Sequence, residues 1–264
     1  MIDYHLPNAE YHAHPAISKS GLDRINQSPA HYRAWLTEPR KETPALTLGS
    51  AAHSYILERD TFFERYAVAP DGIDRRTKDG KAQWAEFEAQ ANGKTVIKAE
   101  DLQQIDRMAA SVWGHPSAQE LLGEGRAEVS AFGNLWGVDV KCRPDWLRED
   151  GIVVDLKTTE DASAAAFLSS VAKWRYHCQS ALYQDILAML GVKVTAFVFI
   201  AVEKSPPFAV GVYLLDDVSI EIGREAYQRN LDTYKTCIET GSWPAYSPAI
   251  ETIQLPRWAF QQAA

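Results

Sequence analysis

Cysteine is scarce in this chain of 264 residues, and long uninterrupted apolar runs are missing from it. The three cysteines, Cys142, Cys178 and Cys237, are odd in number and widely spaced, which is more typical of reduced thiols than of a disulfide framework. No stretch approaches the roughly 18 apolar residues of a membrane span, and the first residues lack the basic and apolar regions of a signal peptide. These absences predict a cytoplasmic protein that does not associate with membranes.

An excess of positive charge is also absent, because the formal net charge is −8. A protein of this charge is not expected to coat nucleic acid with its whole surface. A local basic groove remains compatible with it, and a metal site needs carboxylates in any case. Charge therefore neither supports nor excludes a DNA substrate, whereas a hydrophobic content of 46% is enough to build a core and excludes a disordered chain.

The order of patterns along the chain predicts one α/β domain over residues 1–264. Residues 1–125 read as mainly helical, since caps and apolar residues recur at helical spacing. From 126 to 240 the periods indicate a βββαββα core, with strands in "AEVSAFG", "LWGVDVKCRPDWL" and "GIVVDLKT" and a long helical stretch over about 161–190. Residues 241–264 form a C-terminal tail.

A charged pair interrupts the most apolar predicted strand, "GIVVDLKT". Asp155 and Lys157 are two residues apart, so on a strand they point to the same face. Asp145, in "CRPDW", lies near the end of a neighbouring strand. Two such carboxylates could share Mg²⁺, and the lysine could act on a metal-bound water or a phosphate, as hydrolysis of a phosphodiester requires. The alternative for Asp155 and Lys157 is a salt bridge at a sheet edge.

Four further side chains could join this group. Gln179 and Tyr183 share one face of the following helix, where a plain surface pair is the alternative. His53 lies in the small-residue helix "LGSAAHSYILE" and is either a core residue or a metal ligand. Glu128, which we predict to open the first strand, could face the same pocket.

Taken together these residues resemble the PD-(D/E)xK nuclease superfamily, and more narrowly its RecE branch, the nuclease domain of exonuclease VIII. The resemblance spans roughly residues 14–215 and follows an ordered series of stretches: "ISKSGLDRINQSPAHY", "LGSAAHSYILE", "VKCRPDWL", "GIVVDLKTTEDA" and "YHCQSALYQD". It implies a central mixed β-sheet flanked by helices, with an N-terminal helical layer.

The resemblance also implies roles for individual residues. His53, Asp145 and Asp155 would be metal ligands, with the Leu156 carbonyl as a further ligand, and Lys157 would position the attacking water. The residues that the resemblance and the residue chemistry together make catalytic candidates are Lys157, Asp155, Asp145, Gln179, Tyr183 and Glu128.

The activity implied by the resemblance is 5′→3′ degradation of linear double-stranded DNA that needs Mg²⁺ but not ATP, with Mn²⁺ as a substitute. The product is a 3′ single strand for a RecT-like annealing protein, and the assembly is a homotetrameric ring. Some nucleases of the superfamily bind an iron–sulfur cluster through four cysteines, and three widely spaced cysteines do not support one. Because the chain starts directly at the nuclease region, we expect a stand-alone nuclease from a phage or prophage gene, acting in the cytoplasm of a bacterial host.

Two weaker signals concern DNA contacts. "DRRTKDGKAQW" combines basic residues with an aromatic ring, so it could grip a DNA backbone or be an ordinary solvated loop. The residues concerned are Arg75, Arg76, Lys78, Lys81 and Trp84. Ser18 and Ser20, at a helix start, could bind a 5′-terminal phosphate, although helix capping is the default interpretation.

Two other functions remain open from the sequence. A structure-specific or site-specific endonuclease could use the same core, but we find no added region that would read bases. A DNA-binding assembly factor without catalysis would have no need for the set His53, Asp145, Asp155 and Lys157.

Overall fold

The computed structural model describes residues 1–38 and 43–255, so the last part of the predicted tail, 256–264, lies outside the described residues. The helices are α1 Asn8–Ala13, α2 Lys19–Gln27, α3 Pro29–Thr37, α4 Pro44–Leu57, α5 Phe62–Arg65, α6 Lys78–Ala91, α7 Ala99–Gly114, α8 Pro116–Leu121, α9 Ala164–Trp174, α10 Tyr176–Met189 and α11 Asp217–Thr240, with a 3₁₀ turn at Arg59–Thr61. The strands are β1 Ile2–Asp3, β2 Tyr66–Val68, β3 Thr95–Ile97, β4 Arg126–Ala127, β5 Ser130–Leu135, β6 Val138–Cys142, β7 Trp146–Leu147, β8 Ile152–Thr159, β9 Ala196–Glu203 and β10 Val210–Leu214. In the part of the chain that is described, no helix is both long and apolar enough to cross a membrane.

The largest sheet has five strands in the order β10-β9-β8-β7-β4. β8 and β9 run parallel, because α9 and α10 carry the chain back between them, and the other pairs are antiparallel. The sheet is therefore mixed, as predicted. A second sheet, in the order β1-β5-β6, and a parallel pair of β2 with β3 lie beside it.

β8 and β9, which lie inside the largest sheet, bury both of their faces. Val153 and Phe199 belong to a core shared with α2, α10 and α11, whereas Leu156 and Ile200 belong to a core shared with α4 and α7. Strands buried on both sides read as continuous apolar runs, which is how β8 and β9 appear in the sequence. The N-terminal helices thus pack directly on the strands of the sheet.

The first two predicted strand runs are each broken in two. Glu128 has a φ angle of 52° and separates β4 from β5, so it does not open a strand as predicted. A left-handed residue turns the chain out of the extended conformation. Pro144 lies between β6 and β7, where its missing N–H group cannot join a strand ladder. As a result β5 and β6 leave the main sheet, while β4 and β7 stay in it.

The predicted helix over about 161–190 is likewise two helices. Arg175 has a φ angle of 56°, and its N–H group donates to the Ala172 carbonyl at 3.4 Å, which ends α9. A new helix then starts at Tyr176. This corner places Tyr176 and Gln179, three residues apart, on one face of α10.

Close approach of α10 and α11 gives a prediction about stability. A Cβ atom on Gly223 would lie 2.3 Å from the His177 carbonyl oxygen, so we expect Gly223→Ala to destabilise the protein by about 1–3 kcal/mol. Gly114→Ala is the matched control, since a Cβ there meets nothing within 4 Å. Urea unfolding compares the two, and equal midpoints would show that the two helices do not approach each other this closely.

Candidate active site

Three side chains from β8 and α10 form a closed group. Lys157 Nζ is ion-paired with Asp155 Oδ1 and also donates to Gln179 Oε1 at 3.1 Å. Gln179 Nε2 donates to Asp155 Oδ2 at 2.5 Å. The salt bridge considered as an alternative is present, but it lies on a central strand with Asp155 only 1% exposed. Burying an ion pair costs desolvation free energy that an exposed pair avoids. The burial of this pair therefore disfavours the interpretation as a salt bridge with only a structural role.

Asp145 lies beside this group. It comes just before β7, at a point where β7 does not pair with β8. Its Oδ2 accepts a hydrogen bond from the Leu156 N–H group at 2.7 Å, in place of a backbone partner. The N–H and C=O groups of a strand residue point to the same side, so the Leu156 carbonyl faces the side on which Asp145 lies. His53, from α4, brings its Nδ1 to 3.3 Å from Asp145 Oδ2. The structure therefore brings together His53, Asp145 and the backbone of Leu156, which are three of the four predicted metal ligands.

Burial and charge set the protonation of the site. The pKa of His53 is lowered to about 4, first by burial and then by the charge of Lys157, so the imidazole is neutral at pH 7. The pKa of Asp145 is raised, first by burial and then by the negative charge of Asp155. For Lys157, burial alone would lower the pKa, but Asp155 and Asp145 outweigh it and raise the pKa. The lysine is therefore a cation at neutral pH.

These residues fit a divalent cation by the chemistry of their donor atoms. A neutral imidazole with carboxylate and carbonyl oxygens suits a hard cation such as Mg²⁺ or Mn²⁺. A cation would also relieve the repulsion that raises the pKa of Asp145. Within residues 1–38 and 43–255, however, no three His, Cys, Asp or Glu side chains are placed closely enough to hold a metal ion. The Asp155 carboxylate contacts Lys157 and Gln179 instead.

Glu128 adjoins the site through its backbone and its charge. Its N–H group donates to the Asp145 carbonyl at 3.0 Å. The pKa of its carboxyl group is raised to about 7, first by burial and then by Glu58, while Arg143 and Arg65 oppose the increase. Glu128 therefore faces a charged, buried cluster next to Asp145.

This pKa predicts a pH dependence for the metal-free protein. Because the folded-state pKa of Glu128 lies above its ordinary value of 4.5, ionising it opposes folding. The cost is absent below pH 4.5 and complete above about pH 7. Glu128→Gln should therefore stabilise the protein by on the order of 2 kcal/mol at pH 8 and by almost nothing at pH 4.5. Urea unfolding with a chelator at both pH values checks this, and an equal effect at both would contradict it.

Tyr183 lies near the site without a described hydrogen bond to its acids. The ring meets Phe197 edge-on, at 6.2 Å between centroids. Burial, followed by the charges of its neighbours, raises the pKa of its phenol. Its role in supporting the site stays a prediction.

The sequence analysis did not identify two residues of the site, Tyr176 and Lys19. Lys157 Nζ lies 4.5 Å from the centroid of the Tyr176 ring, and Lys19 Nζ lies 5.8 Å from the same centroid. Because Tyr176 comes three residues before Gln179, the sequence does indicate that the two share one face of a helix. Nothing in the local sequence indicates that Lys19 reaches this ring from α2.

The predicted DNA-binding loop is a loop only up to Thr77, because Lys78, Lys81 and Trp84 lie in α6, and the contacts described for it do not reach this site. Arg75 lies over the Trp84 ring at 4.2 Å, and Arg76 donates to both carboxylate oxygens of Asp74 at 2.9 and 3.0 Å. The remaining two basic residues, both exposed in the first turn of α6, are Lys78 and Lys81. DNA binding by this loop and the first turns of α6 stays a prediction.

Ser18 caps α2, since its hydroxyl oxygen accepts a hydrogen bond from the Gly21 N–H group at 3.4 Å. Ser20 is exposed in the first turn of the same helix. Ser18 is thus an N-cap residue, which is the default interpretation. A phosphate-binding role for either serine stays a prediction.

The fold and the charged group on β8 together define a PD-(D/E)xK-like protein, as predicted. Residues 18–256 match the model of the family described as PDDEXK-like domain of unknown function (DUF3799), and the chain belongs to this family. No curated protein matches its sequence.

Two solved structures resemble this one to different degrees. The first, from Eubacterium rectale and described as a "putative exonuclease", superposes with a TM-score of 0.65 at 15% identity, over 99% of each chain. At this identity the similarity concerns the fold alone. The second, SSO0001, reaches a TM-score of only 0.29 at 13% identity, over 86% of this chain and 93% of that chain, and carries no argument.

Proposed function

We propose that this protein is a Mg²⁺-dependent, ATP-independent exonuclease that degrades linear double-stranded DNA from 5′ to 3′. The observation that carries the proposal is the buried group of Asp155, Lys157 and Gln179 beside Asp145 and His53. The PDDEXK-like family supports a nuclease, a class whose members generally depend on divalent metals. The exonuclease description of the structural neighbour supports the choice of an exonuclease, and the polarity rests on the RecE resemblance.

The metal would be held by His53, Asp145, Asp155 and the Leu156 carbonyl, with Mn²⁺ able to replace Mg²⁺. When bound, it supplies an activated water and neutralises charge on the phosphate. Lys157 is protonated, so it serves as a hydrogen-bond donor that orients the water and stabilises negative charge, rather than as a base. Gln179 donates to the Asp155 carboxylate and accepts from the Lys157 ammonium, so it fixes the position of both charged groups.

The remaining parts of the proposal follow the resemblance. The product would be a 3′ single strand for a RecT-like annealing protein, made by a homotetrameric ring in the cytoplasm of a bacterial host that carries a phage or prophage gene. The basic loop before α6, the first turns of α6 with Trp84, and the start of α2 would contact DNA. Tyr183 and Glu128 would complete the pocket around the scissile phosphate.

The experiment is digestion of a linear duplex labelled at either its 5′ or its 3′ end, with Mg²⁺ and without ATP. Closed circular duplex and an EDTA control run in parallel. Early release of the 5′ label as mononucleotide, with intact circles, is the expected result. Early release of the 3′ label would overturn the polarity, loss of the circles would indicate an endonuclease, and binding without cleavage in any divalent metal would indicate an assembly factor.

A further inference from the structure

The Lys157 ammonium is held on three sides by groups of different chemistry. Asp155 is its ion-pair partner, Gln179 accepts a hydrogen bond from it, and the Tyr176 ring lies 4.5 Å away. An ammonium group has three N–H donors, and among the described residues one hydrogen bond and one ion pair engage two of them, which leaves one. The ring attracts the cation through its π face but accepts no conventional hydrogen bond in exchange.

The Tyr176 ring is itself fixed by its neighbours. It stacks on Phe199, at 5.9 Å between centroids and an interplanar angle of 29°, and lies 6.1 Å from the Phe167 ring. Burial raises the pKa of the phenol, so the ring stays neutral at working pH. Side chains packed in this way lose little further freedom when they hold a partner. Tyr176 is therefore a rigid surface for the lysine.

Lys19 secures the corner of the chain that carries this ring. Its Nζ donates to the Trp174 carbonyl at 2.6 Å and pairs with Asp23 at 2.7 Å. These contacts tie α2 to the junction between α9 and α10, immediately before Tyr176. The ammonium of Lys19 also lies 5.8 Å from the ring, where its charge is balanced by Asp23.

We propose that Tyr176 is a positioning residue, whose π face holds the Lys157 ammonium so that its free N–H group points at the reacting phosphate or water. A second carboxylate in this place would hold the lysine equally well but would cancel the charge that the reaction uses. An aromatic ring holds the cation and leaves its charge in place. This inference rests on the proposed function, because it assigns Tyr176 its role through Lys157.

The first test changes the electrostatics of the ring without changing its shape. Phenylalanine and its mono-, di- and trifluorinated analogues are placed at position 176, and kcat and KM for linear duplex are measured with Mg²⁺. Tyr176→Phe should stay within about twofold of the unmodified protein, and Tyr176→Leu should lower kcat about 3- to 30-fold with little change in KM. The fluorinated series should fall progressively between these limits, since fluorine withdraws the π charge that attracts the cation.

The matched control uses the same fluorinated residues at Phe62, a buried ring that packs on Tyr55, Phe63 and Tyr66. There the series should leave kcat unchanged. Thermal melting of every variant separates loss of fold from loss of position. A flat series at position 176, or equal kcat for the Phe and Leu variants, would overturn the proposal.

A second measurement needs no catalysis. In the metal-free protein with ¹³C-labelled lysine, the ring current of Tyr176 should shift the Lys157 ε-methylene protons upfield, and the signal is assigned by its loss in Lys157→Ala. Tyr176→Leu should abolish the shift, and an unchanged shift would refute the inference. If the unmodified protein cleaves no DNA, the proposed nuclease function fails, and this spectrum still decides whether the ring holds the lysine.

Discussion

Lys157→Ala is expected to lower the rate of DNA hydrolysis by about 10²- to 10³-fold, as the loss of one preorganised donor to a reacting oxygen does. Lys157 is a largely buried cation beside two carboxylates, and a water molecule in its place would carry no positive charge. The loss should fall on kcat rather than on KM, because the donor acts on charge that develops in the reaction. Steady-state kinetics on a linear duplex, with Mg²⁺ at saturation, measures both constants.

The same substitution should also destabilise the protein. It leaves the Asp155 carboxylate, 1% exposed, without its cation, and breaking such a pair costs about 3–5 kcal/mol. The double variant Asp155→Asn, Lys157→Met removes both charges and should recover most of that stability while remaining inactive. This double variant distinguishes loss of chemistry from loss of fold.

Lys98→Ala is the matched control, since Lys98 also pairs with a carboxylate, Glu100, but both side chains are 72% exposed. An exposed ion pair contributes about 0–1 kcal/mol, so stability and cleavage should both stay close to those of the unmodified protein. If Lys157→Ala folds and cleaves as well as Lys98→Ala does, Lys157 has no part in the reaction.

Asp145→Asn should have opposite effects on the metal-free and the metal-bound protein. The pKa of Asp145 is raised in the folded state, so its ionisation opposes folding at neutral pH, and the neutral amide removes this cost. The asparagine oxygen can still accept the hydrogen bond from the Leu156 N–H group. Metal-free Asp145→Asn should therefore melt at a higher temperature than the unmodified protein at pH 7, with the difference fading towards pH 3.8 and below.

When metal is added, the unmodified protein should gain stability and Asp145→Asn should not. Mg²⁺ or Mn²⁺ stabilises a protein that binds it in the folded state, so the unmodified protein should melt at rising temperatures as metal is added. Asp145→Asn should lose this response and DNA cleavage together. Asp232→Asn, an exposed position on α11, should keep both. An undiminished metal response in Asp145→Asn would show that Asp145 is not a ligand.

The breaks in the regular elements mark the limit of prediction for the fold. Glu128 and Arg175 both adopt a positive φ angle, although neither is a glycine. Pattern reasoning continues a strand or a helix through a residue of this kind, because nothing in its type signals the turn. Tertiary contacts hold both conformations, and the break at Arg175 is what aims Tyr176 and Gln179 at β8.

Strand periodicity alone determined that Asp155 and Lys157 share a face, and residue type alone determined which side chains could bind a cation or donate to a phosphate. The ordered motifs were also sufficient to predict the PD-(D/E)xK fold, which the family and the structural neighbour confirm. The placement of His53 beside Asp145 was implied by the family resemblance, whereas only the tertiary structure brought Tyr176 to Lys157. The reason is that periodicity relates residues within one element, whereas contacts between elements depend on how helices pack on a sheet. Burial, which fixes the pKa values of these groups, is decided by the same packing.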